Sequence, residues 1–106
     1  MRVFLFNTAI LTDYGLWRLR GPLTVEEARI ILAKGFHSAI GHQATADFLS
    51  ETLAQPIPVA RINAHLDAGD RALVFRLEER QREGHLLTKA ELREAQSSFA
   101  LLERLE

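Results

Sequence analysis

The chain contains no cysteine, and that one absence removes disulfides, thiolate metal sites and a cysteine nucleophile together. Nor is there an excess of positive charge. Thirteen Lys and Arg stand against 14 Asp and Glu, for a formal charge of −1. A nucleic-acid partner would have to be met by a local basic site, and duplex DNA is not expected. No apolar run approaches the ~20 residues of a membrane span, and the apolar part of "MRVFLFNTAILTDYG" is too short for a secretory signal. A soluble, cytoplasmic protein with no membrane partner is therefore expected. Metal-binding patterns are missing too: His37 and His42 straddle a glycine, His65 and His85 have no His or carboxylate four residues away, and no HExxH occurs. No GxGxxG, P-loop or GxSxG is found, which removes the common nucleotide hydrolases and serine hydrolases. No metal and no cofactor are expected.

What remains is 106 residues, 47% hydrophobic, with six Phe, one Trp and one Tyr. A chain of this size buries about two thirds of its unfolded surface and needs no staple. The run "RVFLFN" (residues 2–7) reads as a buried strand and "LWRLR" (residues 16–20) as a half-buried one that Gly21-Pro22 stops. Thr24 and Glu27 form a capping box opening "TVEEARIILAKG", a helix that Gly35 ends. After a short extended stretch, Ala44, Phe48, Leu49 and Leu53 recur at helical spacing, and Pro56 and Pro58 close that helix. The runs "VARINAHL" and "RALVFRLE" predict two strands of a hairpin joined through "DAGD", directing Arg61, Asn63, Arg76 and Glu78 outward or toward a site. Thr88 and Glu91 repeat the capping box for a short helix, and "SFALLERL" predicts a last strand. With no linker or repeat, residues 1–106 form a single domain. The expected class is α/β, a mixed sheet of about five strands with helices packed on it.

His42 follows Gly41 at the start of the second helix. Free backbone N–H groups and the helix dipole attract an anion there. An imidazole at that place is positioned to protonate a leaving oxygen, while the plain alternative makes His42 and Gln43 polar residues at a helix start. Arg61, Arg76 and Arg80 place three guanidiniums on or just after adjacent predicted strands, suited to phosphate recognition. The run "EERQREG", with Glu83, reads equally as a solvated charge run. If these groups converge, the result is a pocket for a small phosphodiester containing an acid and a carboxylate.

The stretches "SAIGHQATADFLSETL", "PVARI", "GDRALVF" and "RQREGHLLTKAEL", in this order and with these gaps, resemble the ring nucleases of the viral type III anti-CRISPR family and their cellular CRISPR-associated relatives. The likeness runs from "FLFNTAI" to the end of the chain. It is sharpest in IGH-x-x-T and R-x-x-E-G-x-x-L-[ST]. Nineteen residues separate His42 from Arg61, and nineteen more lead to Arg80, as in viral members. The resemblance implies a metal-independent phosphodiesterase that opens cyclic tetra-adenylate through the ribose 2′-hydroxyl, giving linear di-adenylate with a 2′,3′-cyclic phosphate. It implies His42 as general acid and Glu83 as the carboxylate that orients it. Arg61 and Arg80 would hold phosphates, joined by Arg76 beside them. The loop of Asn7, Thr8, Ala9 and Ile10 would wrap the nucleotides, and Gly41, Gln43 and Thr45 would complete the contact. A homodimer with the ring on its two-fold axis is also implied, since a ring of four identical nucleotides suits a two-fold site.

The chain departs from the pattern at Ile10, where viral relatives often have Ser, at Gln81 and Arg82 in place of Leu and Glu, and at His85 in place of Lys. Two other readings stand beside the enzyme. One is a non-catalytic sensor or sponge for cyclic oligonucleotides. The other is a small structural or regulatory protein, with duplex DNA as one candidate partner, which the charge balance and the lack of a helix-turn-helix signal disfavour.

Overall fold

Local chemistry accounts for where the helices start and stop. The computed structural model describes residues 1–78 and 86–106. Along it run β1 (Val3–Phe6), β2 (Trp17–Leu23), α1 (Val25–Leu32), β3 (His37–Ser38), α2 (Gln43–Leu53), β4 (Arg71–Leu77), α3 (Lys89–Glu94) and β5 (Ser97–Arg104). Thr24 and Thr88 each accept from the amide three residues on while Glu27 and Glu91 return the bond, so both expected capping boxes form. Gly35, at φ +116°, takes the left-handed turn that leaves α1.

The strands make one mixed sheet in the order β2-β5-β4-β1-β3. β1 runs parallel to both β3 and β4, whereas β5 is antiparallel to β4 and to β2. This is the small α/β domain that the sequence predicts. Side chains alternate across the sheet. Leu5, Leu73, Phe75 and Phe99 point to one face and pack with Ala28, Leu32, Leu49, Leu53 and Leu92 of the helices. Phe4, Phe6, Ala72, Val74, Ala100 and Leu102 point to the other and pack with Leu66. Residues 72–75 of β4 are all buried, as a strand covered on both faces requires.

Two sequence expectations are corrected. Residues 59–66 form no strand and no hairpin with β4. The turn at residues 67–70 does form, with the Asp70 amide bonded to the Asp67 carbonyl at 2.9 Å. But β4 is hydrogen-bonded to β1 on one edge and β5 on the other, which leaves no edge for a hairpin partner. Residues 59–66 instead cross the face away from the helices, where Leu66 is buried and Ala64 packs beside it. Gly21-Pro22 does not stop β2 either. The strand continues to Leu23 through that pair with a register shift, because β2 lies at the sheet edge and a proline there costs no ladder bond on the open side.

Asp70 is 4% exposed and joins the starts of β1 and β4. It accepts from the Arg2 amide at 2.8 Å, from Arg2 Nε and Nη2 at 3.0 and 2.8 Å, and from the Asp67 amide at 2.8 Å. Burial works to raise its carboxyl pKa, but these donors and the Arg2 charge outweigh it and hold the pKa below the usual value. A depressed carboxyl contributes stability above its unfolded pKa and loses it as pH falls through the folded one. Replacing Asp70 by Ala strands the Arg2 and Asp67 donors and is expected to cost about 2–4 kcal/mol at neutral pH. Urea unfolding between about pH 2 and 7 should show that cost shrinking in acid; parallel profiles for the two proteins would contradict this account.

Candidate functional site

Because β1, β3 and β4 run in one direction, their carboxyl ends share one edge of the sheet. The chain leaves that edge at Asn7, Ala39 and Glu78. Open sheets of this kind bind ligands just beyond the carboxyl ends of parallel strands.

The crossing of residues 59–66 starts against the chain leaving β3, held by three hydrogen bonds in step. Ser38 Oγ donates to the Pro58 carbonyl at 2.6 Å, the Ala60 amide to the Ile40 carbonyl at 2.9 Å, and Arg61 Nε to the Gly41 carbonyl at 3.1 Å. Arg61 is thus laid over the residue preceding His42. A Cβ on Gly41 would sit 3.3 Å from Arg61 Cγ, so the glycine lets the arginine approach this closely. With Nε committed, the terminal guanidinium nitrogens of Arg61 make no hydrogen bond or ion pair among the described residues.

His42 is the N-cap of α2 and is half-buried. Its backbone is extended, and its side chain does not cap the helix. The first-turn amides of α2 thus lack the side-chain oxygen that Thr24 and Thr88 supply to α1 and α3. Uncapped amides and the dipole of an 11-residue helix give this end a positive potential. Gln43 is turned away from it, its Nε2 donating to Asp47 Oδ1 at 2.7 Å. Thr45 lies half-buried in the first turn.

At the carboxyl ends of β1 and β3, a depression of about 300 Å³ is lined by Asn7, Ile10, Leu11 and Thr12 from the loop after β1, by Ala39, and by Ile62, Asn63 and His65 from the crossing segment; Gly41, His42 and Arg61 are not among its lining residues. Three residues expected at or facing a site, Asn7, Ile10 and Asn63, line it. Thr8 and Ala9 lie exposed between them in the chain. Arg76 is elsewhere: it projects from the face away from the helices into a separate depression with Leu19, Pro22, Glu78 and Ser98. Within one chain it is not brought to the Gly41 end. Arg80 and Glu83 lie outside the described residues.

Sequence reasoning missed Leu11, Ile62 and His65 as lining residues, whereas Thr12, one of two threonines that could replace the hydroxyl lost at Ile10, does line it. Thr12 Oγ1 accepts from the Leu66 amide at 3.0 Å, and His65 Nδ1 lies 3.3 Å from Asp13 Oδ2. These contacts join positions more than 50 residues apart, which no local pattern announces. Desolvation acts to raise the Asp13 pKa, but bonds from Thr12 and His65 and the nearby charge of Arg104 bring it below the usual value. Among the described residues no three His, Asp or Glu side chains gather as metal ligands would, and no helix is long and apolar enough to cross a membrane.

The chain is similar to viral and bacterial proteins. A family model described as STIV B116-like matches residues 3–101. Uncharacterized protein 26 of Sulfolobus islandicus filamentous virus (isolate Iceland/Hveragerdi) is 41% identical over 70 residues, which cover 65% of this chain and 59% of that protein. Uncharacterized protein YddF of Bacillus subtilis (strain 168) is 31% identical over the full length of both. Uncharacterized protein ORF117 of Acidianus two-tailed virus is 37% identical over 76 residues, 69% of this chain and 65% of that one. Among solved structures, B116 of Sulfolobus turreted icosahedral virus superposes with a TM-score of 0.74 at 22% identity, covering 98% of this chain and all of B116. That likeness establishes a shared fold.

The Asp13 environment yields a direct expectation. Replacing His65 by Ala, or Thr12 by Val, removes one donor and should raise the Asp13 carboxyl pKa toward its usual value, as followed by carboxyl ¹³C NMR titration. An unchanged midpoint in both variants would show that neither contact persists in solution.

Proposed function

The chain belongs to the STIV B116-like family, and on that footing we propose that it is a metal-independent ring nuclease that opens cyclic tetra-adenylate and so suppresses or switches off type III CRISPR signalling. One observation carries this reading. The Arg61 guanidinium lies over Gly41 at the uncapped start of α2, beside His42, at the carboxyl edge of the parallel strands. An arginine whose terminal nitrogens have no partner among the described residues, with uncapped helix amides beside it, is complementary to a phosphodiester. β4 leads directly to residues 79–85, which hold Arg80 and Glu83.

In the proposed reaction the ribose O2′ releases its proton to solvent water as it attacks the neighbouring phosphorus, and solvent later returns a proton to His42. The bond from phosphorus to O5′ breaks, and His42 supplies the proton taken up by O5′. The products carry a 2′,3′-cyclic phosphate and a 5′-hydroxyl. The nucleophile belongs to the substrate, which confines the chemistry to RNA-type linkages. Arg61 and Arg80 hold phosphates so that the hydroxyl lies in line, and Glu83 orients His42. Asn7 and Ile10 contact the nucleotides from the depression they line. Two chains acting about a two-fold axis would cut opposite linkages of one ring, giving two linear di-adenylates. In such a dimer Arg76 would have to reach the ligand from the partner chain. The reaction is one of the cytoplasm, where the messenger is made.

Incubation with cyclic tetra-adenylate in EDTA should yield linear di-adenylate. His42→Ala should bind the ring while cutting it about 10²–10⁴-fold more slowly, the usual contribution of a positioned acid. Arg61→Ala should weaken ring binding. A ring bound but never cut by the wild-type protein would make this chain a sensor or sponge. Full activity of His42→Ala would remove the mechanism.

A further inference from the structure

At the opposite edge of the sheet, where β1, β3 and β4 begin, lies a larger depression of about 680 Å³ between the strands and the carboxyl end of α1. Among the described residues, basic and apolar groups line it without a carboxylate. Arg71, Lys34 and His37 contribute the basic groups, and Ile30, Ile31 and Phe36 the apolar wall.

Among the described residues, three of its side chains are left without a partner. Among the described residues the buried Arg71 Nε has no hydrogen-bond partner. Glu103 lies across the ladder from Arg71, but its carboxylate is taken by Arg18 at 3.0 Å, with Arg20 at 3.9 Å. A buried guanidinium nitrogen left unpaired is costly and calls for a partner. Ile30 is 73% exposed on the same depression, an apolar contact surface with nothing upon it. Lys34 makes no ion pair among the described residues. Arg2, also on the rim, is already committed to Asp70 and Asp67.

We propose that this depression is a second binding site, for a small organic anion that carries a phosphate or carboxylate on an apolar body. Arg71 and Lys34 would clasp the oxyanion, and Ile30, Ile31 and Phe36 would cover the body. A volume of this size accommodates a ligand up to that of a mononucleotide. The site stands apart from the carboxyl edge and does not depend on the ring nuclease reading.

Titration of ¹⁵N-labelled protein with phenyl phosphate, benzoate, inorganic phosphate and phenol tests the proposal. Phenyl phosphate or benzoate should shift the amides of Lys34, Gly35, Phe36, His37 and Arg71 saturably, and the stronger of the two identifies the preferred oxyanion. Inorganic phosphate should bind about tenfold more weakly or worse for want of the apolar contact, and neutral phenol should leave these amides in place. Arg71→Gln and Lys34→Gln should each weaken binding about tenfold. Should Arg71→Gln fail to fold, the exposed Lys34→Gln decides. No saturable shift up to about 20 mM of either aromatic anion, equal binding of inorganic phosphate, or unchanged affinity in Lys34→Gln would overturn the proposal.

Discussion

β4 has a strand on both of its edges, and the site depends on that constraint. With β1 on one side and β5 on the other, the apolar run before β4 cannot join the sheet. It must bury Ala64 and Leu66 by lying across the face that the helices leave open. In doing so it passes the chain leaving β3 and is tied to it through Ser38, Ile40 and Gly41. Arg61 and Asn63 reach the carboxyl edge by this route and not by strand alternation. Arg104 secures the far end of the same crossing, donating to the carbonyls of Leu66 and Tyr14.

The helix starts divide by role. α1 and α3 close their first turns with threonine and glutamate, which satisfies the amides and contributes stability. α2 has a histidine in the same position and leaves its amides uncapped. At the carboxyl edge of a parallel trio, beside an anchored arginine, those amides suit an anion. The opposite edge is organised by charge pairing, with Arg2 and Asp70 joining β1 to β4. There, among the described residues, Arg71 Nε is left out of the pairing.

Features that depend on a few neighbouring residues were legible in the sequence. The capping boxes at Thr24 and Thr88, the Gly35 stop, the helical face of Leu49 and Leu53 and the buried run of β1 all appear as read. Features that depend on what occupies a neighbouring edge were not. "VARINAHL" has the composition of a strand, but no pattern within it says that both edges of β4 are filled. Gly21-Pro22 reads as a stop until β2 is known to be an edge strand. Arg76 shares its side of β4 with Ala72 and Val74, so alternation already separates it from the helix face, but not from the Gly41 end. The lining contributed by Ile62 and His65 follows from contacts across the crossing segment. Family kinship agrees in part with the resemblance: the family is STIV B116-like and includes viral proteins, while ring cleavage is the reading that the Arg61–Gly41–His42 arrangement supports.

The central claim is that the carboxyl edge, with Arg61 over the start of α2, holds one cyclic ring between two chains. Calorimetric titration of cyclic tetra-adenylate into His42→Ala, paired with amide NMR, measures this directly. The account predicts saturation at one ring per two chains, with shifts centred on Asn7, Gly41, His42 and Asn63. Absence of binding, or shifts that leave those amides untouched, would contradict it.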